Sequence, residues 1–86
     1  MALVQITPTQ ARVHFDRRSA LPTAVRFENR QLTVMTVEAV RDELAASPRG
    51  RGPRVTYLVG TDQGRASIVF DARARRWFVE AFESAA

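Results

Sequence analysis

Between Ala11 and Asp16 apolar and polar residues alternate, with Val13 and Phe15 on one side and Arg12, His14 and Asp16 on the other. That is the period of a half-buried β-strand. Met1 to Gln10 keeps no sustained period and reads as an N-terminal tail or an edge strand. Thr23 to Glu28 and Gln31 to Val37 flank Asn29-Arg30, and Asn tolerates the positive φ of a tight turn. Closing a hairpin on those two residues sets Phe27 opposite Leu32 and Val25 opposite Val34, with Arg26 beside Thr33 on the other face. A single register thus sorts both strands into an inner and an outer side.

The period changes in TVEAVRDELAAS. Val37, Val40 and Leu44 fall three and four apart among strong helix formers, Thr36 suits an N-cap and Pro48 lies past the end, which predicts a short helix over 37–46. A longer third strand running through Val40 is the rival reading. Three more strands are expected at Arg54 to Thr61, Arg65 to Asp71 and Arg76 to Phe82, joined by Asp62-Gln63-Gly64 and by Ala72 to Arg75. Setting Thr61 opposite Ala66 and Phe70 opposite Trp77 gathers Tyr57, Val59, Ile68, Phe70, Trp77 and Val79 on one face. The same registers align Leu58, Val69 and Phe78 on the other, so this sheet is apolar on both sides and needs two covers. The first hairpin supplies one; the helix or a second copy of the chain would supply the other.

The expected fold is therefore mainly β, or α+β once the helix is counted. It is an antiparallel meander of about six strands curled into a small barrel or two-layer roll, with one short helix near 37–46. Residues 1–10 are the tail or edge strand, and residues 11–84 form a single small β domain.

Composition adds three points. The chain has no cysteine, so no disulfide framework or thiolate metal site can be written. Its apolar runs stop well short of the ~20 residues of a membrane span, and its first residues lack the plan of a signal peptide, so a cytoplasmic protein is expected. All thirteen basic residues are arginine, the net charge is +4, and seven aromatics are present. Arginine binds phosphate and carboxylate bidentately, but an arginine-only, alanine-rich composition is also what a GC-rich genome writes.

The stretch SPRGRGPR, Ser47 to Arg54, is either a phosphate grip in which Arg49, Arg51 and Arg54 reach a nucleic-acid backbone, or a solvated connector. Arg73, Arg75 and Arg76 lie in the connection leading to Trp77 and would join it if both loops share one edge of the sheet. Because Tyr57, Phe70 and Trp77 fall on core positions, readout by stacking on single-strand bases is disfavoured. The single histidine, His14, has no metal-binding companion, no nucleophile–base arrangement is recognisable, and neither GxxxxGK[ST] nor GxGxxG occurs. No catalytic residue, metal or cofactor is expected, and the chain is not read as an enzyme. Asp16, Asp62 and Asp71 read as turn residues whose carboxylates take nearby backbone amides.

Thr61-Asp62-Gln63-Gly64, then Asp71, then Trp77-Phe78-Val79-Glu80-Ala81-Phe82 carry a likeness. Through them the chain resembles an uncharacterised small bacterial β domain of unknown function, found stand-alone and in the C-terminal region of Y-family-polymerase-like error-prone repair proteins. The likeness extends more loosely over Thr23 to Gln31, where this chain has Asn29-Arg30 in place of a G-R type turn, and SPRGRGPR replaces an aromatic-rich segment. It implies a mostly β fold and a link to DNA repair, with no activity to carry over.

The function expected from all of this is a non-catalytic accessory module that binds a protein partner in a bacterial repair or replication assembly. Docking would use a sheet edge or the surface of Leu58, Val69 and Phe78. Direct binding of DNA or RNA phosphates by Arg49, Arg51, Arg54, Arg73, Arg75 and Arg76 is the first alternative, and a homodimer covering the second apolar face is another.

Overall fold

A computed structural model describes residues 3–43 and 53–84. Its elements are β1 (Val4–Asp16), β2 (Leu21–Phe27), β3 (Arg30–Glu43), β4 (Arg54–Thr61), β5 (Gly64–Asp71) and β6 (Arg76–Ser84). All neighbours are antiparallel, and β1 pairs with both β2 and β6, so the expected meander closes into a small six-stranded barrel. Residues 4–10 are the start of β1 and pair with β6 at Val4↔Phe82 and Thr9↔Val79.

The helix expected over 37–46 is replaced by strand through Glu43; residues 44–46 lie outside the described part. The cause is a β-bulge. Val37 pairs with Val59 and Ala39 with Leu58, so Glu38 is an extra residue on β3, and Val40 then meets Tyr57. Because the bulge inserts one residue, two positions facing the same side of the sheet stand three apart, which imitates a helical period. The same happens at Met35, between Val34 and Val37, and on β6, where the shift lets Val79 oppose Ile68 and Phe82 oppose Ala66.

Two hairpin registers also move by two residues relative to the sequence reading. The β2–β3 turn is Glu28-Asn29, with Phe27 opposite Arg30 and Val25 opposite Leu32. Both turn residues have positive φ, 49° and 63°, as a type I′ turn requires. The β4–β5 turn is Asp62-Gln63, so Tyr57 opposes Ile68 and Val59 opposes Ala66. A shift of two preserves the faces, and the interior is accordingly Val25, Phe27, Leu32, Val55, Tyr57, Val59, Ala66, Ile68 and Val79, with Trp77 and Phe82 packed against it. The first hairpin thus covers one face of the second-half sheet, as expected.

The outer face is covered differently from expectation. Val69 is 2% exposed, Leu58 and Phe78 are half-buried, and among the described residues no helix lies over them. Arg54 on β4 reaches across β5, on the face that carries Val69, to place Nη2 2.7 Å from Oε1 of Glu80 on β6. Nearer the other end, Arg65 bridges Glu38 of β3 at 3.5 Å and Glu83 of β6 at 3.1 Å. Gly60 lies beneath this second bridge: a Cβ there would stand 2.7 Å from Thr36 Oγ1 and 3.4 Å from Glu38 Oε2.

Candidate functional site

β1, β3 and β5 finish, and β2, β4 and β6 begin, at the same end of the barrel. The described connections there are Arg17–Ala20 and Ala72–Arg75, and each follows a strand-closing aspartate. Asp16 Oδ1 accepts the N–H of Arg18 at 3.1 Å and Oδ2 accepts Ser19 Oγ–H at 2.9 Å. Asp71 Oδ1 accepts the N–H groups of Arg73 and Ala74, each at 3.0 Å. Asp62, at the other end, instead accepts the N–H of Thr33 on β3 at 2.9 Å, so only Asp16 and Asp71 brace their own turns as expected. Its turn bonds hold the Asp16 carboxyl below its usual range, the Ser19 hydroxyl first and the Arg18 amide second. The carboxylates of Asp16 and Asp71 are each spent on their own turn, and the arginines that follow project outward. Arg17, Arg18, Arg73, Arg75 and Arg76 are all exposed, and none has an ion pair among the described residues.

Inside this basic rim lies a recess of about 400 Å³ lined by Phe15, Arg17, Tyr57, Phe70 and Trp77. Trp77 is its centre, with ring centroids 5.1 Å from Phe70, 5.7 Å from Tyr57 and 5.9 Å from Phe15. Phe15 stacks edge-on against Tyr57 at 6.3 Å and is 38% exposed. Tyr57 is 8% exposed, and burial raises its phenol pKa, with the charge of Asp42 adding to the effect. The recess opens because β2 pairs with β3 only as far as Ala24↔Thr33. From Val34 to Glu43, β3 has β4 on one side and no strand on the other among the described residues.

Of the arginines singled out in the sequence, Arg73, Arg75 and Arg76 stand together on this rim, while Arg49 and Arg51 lie outside the described residues. Arg54 is at the same end and is paired with Glu80 at 2.7 Å, its side chain 14% exposed. The aromatics expected in the core are only partly so: Phe70 and Trp77 are half-buried and line the recess. Sequence reasoning missed Phe15, Arg17 and Arg18. The signal for Phe15 and Arg17 was the alternation Val13-x-Phe15-x-Arg17, which carries one row of side chains past the last core layer to the barrel end.

Among the described residues no cluster of His, Asp and Glu could hold a metal ion, and no helix is long and apolar enough to cross a membrane. Comparison of the chain with protein-family models, with curated proteins and with solved structures found no match.

Proposed function

We propose that the protein is a non-catalytic module that binds nucleic acid through the phosphate backbone, using the arginine-rimmed end of the barrel. The observation that carries this is the convergence of Arg17, Arg18, Arg73, Arg75 and Arg76 from two turns onto one end, with the neighbouring Asp16 and Asp71 bonded within their own turns. Four guanidinium groups on short, carboxylate-braced turns and a fifth at the start of β6 lose less freedom on contact than groups on a long flexible connector would. Phosphate contact by such groups is independent of sequence and weakens steeply with salt. Titration of a labelled oligonucleotide at two salt concentrations tests the proposal: binding at low salt with a steep salt slope is expected, and no binding at low salt ends it.

Docking of a protein partner is a second reading, favoured by the side of β3 from Val34 to Val40 that faces no strand among the described residues, where Met35 and Val40 are 67% and 50% exposed. An extended peptide adding to that edge would be held by main-chain hydrogen bonds. Hydrogen exchange of the β3 amides with and without a bound partner tests it, protection confined to that edge being the expected result.

A further inference from the structure

Resting on the nucleic-acid reading above, we infer that the aromatic recess seats one unpaired base, so that the module engages single-stranded nucleic acid by stacking as well as by charge. The lining is four aromatic rings and one cation, Arg17. A site of that kind suits a flat apolar body with a negative charge a few ångströms away, which is the chemistry of a base and its own phosphate. Aromatic cages for quaternary ammonium groups share the rings, but a guanidinium in the lining repels a cation.

The ring geometry fixes how the base sits. Trp77 is in van der Waals contact distance of all three partners, at 5.1 to 5.9 Å between centroids with planes tilted by 37° to 52°. Sandwiching a base between two rings needs about 7 Å between their planes, twice a carbon contact distance. Trp77 leaves no such slot against any of its three partners. The base lies on the open side of the cluster, where Phe15 is the exposed ring, with its phosphate toward Arg17 and the Ala72–Arg75 turn. Bases inside a duplex present no free face, so away from its two terminal base pairs a blunt duplex reaches only the arginine rim. Among the described residues no side-chain amide or carboxylate lines the recess, and stacking tolerates every base, so sequence preference is weak.

Trp77 is the single tryptophan of the chain and reports on its own site. The experiment titrates the full chain at low salt with oligothymidylate, with an abasic strand of equal length and phosphate number, and with a blunt duplex, following Trp77 fluorescence and anisotropy of the labelled strand. Oligothymidylate should quench Trp77 and bind roughly tenfold more tightly than the abasic strand, the order of magnitude expected for base stacking on an aromatic ring. Phe15→Ala should erase that difference while leaving abasic binding unchanged, and Phe15→Tyr should keep it. Equal affinity for the abasic and base-bearing strands, or quenching of Trp77 by the duplex to the same extent, overturns the inference and leaves phosphate binding standing. Failure of all three probes to bind overturns the underlying reading instead. The wild-type comparison needs no variant, so a misfolded Phe15→Ala cannot obscure the result.

Discussion

Replacing Arg54 by alanine separates a structural arginine from those proposed to meet phosphate. Its ion pair with Glu80 spans β5 at 2.7 Å, with side-chain exposures of 14% and 26%. An exposed pair contributes ~0–1 kcal/mol, whereas breaking a fully buried one costs ~3–5 kcal/mol, so this partly buried pair falls near ~2 kcal/mol. The aliphatic stem lies on the face that carries Val69, and the apolar area lost with it adds ~0.5–1 kcal/mol. Arg54→Ala should therefore lose about 2.5 kcal/mol, and with some 4–8 °C per kcal/mol for a chain of this size its midpoint should fall by roughly 10–20 °C. Glu80→Ala keeps the stem but leaves the more buried charge of the pair, the guanidinium, without its carboxylate, so its loss should be of similar size. Arg54 Nε is already buried without a hydrogen-bond partner, so Arg54→Met with Glu80→Leu should recover most of the loss. Urea denaturation gives the stabilities, and oligonucleotide titration at a temperature where every variant is folded gives the affinities. Unchanged stability in Arg54→Ala, together with weaker binding and a shallower salt slope, would show that Arg54 is a phosphate ligand and that the bridge does not hold the sheet.

Arg75→Ala should show the reverse pattern, with stability within ~0.5 kcal/mol of the parent and the salt slope of oligonucleotide binding reduced by about one. In the β2–β3 turn, Glu28→Asn with Asn29→Gly relieves two positive-φ residues, 49° and 63°, and should add about 1 kcal/mol in urea denaturation. Gly60→Ala drives a methyl to 2.7 Å from Thr36 Oγ1 and should lower the midpoint, with Thr36→Ala in the same chain restoring it. The folded-state pKa of Asp16 is depressed, so its contribution is present above the unfolded carboxyl value and lost as pH falls through the folded one. Melting curves in acid should accordingly show a steeper loss for the parent than for Asp16→Asn, and parallel curves would refute that linkage.

Strand identity and the inner and outer faces were legible because alternation survives a register error of two. The turn positions were not, since Asn29 supports a turn as its first or its second residue and only the φ values of Glu28 and Asn29 decide. The β3 bulges were illegible for a related reason: an inserted Glu38 makes Val37 and Val40 share a face at helical spacing, and local pattern cannot distinguish the two. Of the site, the Ala72–Arg76 arginines could be read from the sequence alone. The role of Arg54 could not, because Glu80 is distant in sequence and becomes its neighbour only once β5 lies between β4 and β6. Phe15 likewise joins Trp77 only through closure of the barrel by β1.

Val4 and Phe82 are directly opposed where β1 starts and β6 runs out, at the pole facing away from Trp77 and its arginine rim. Immobilising the chain by either extremity on a sensor surface therefore leaves the aromatic pole pointing into solution. For the same reason, joining the two extremities by a short linker and opening the chain between β4 and β5, at Asp62-Gln63, should yield a permuted protein with an undisturbed recess.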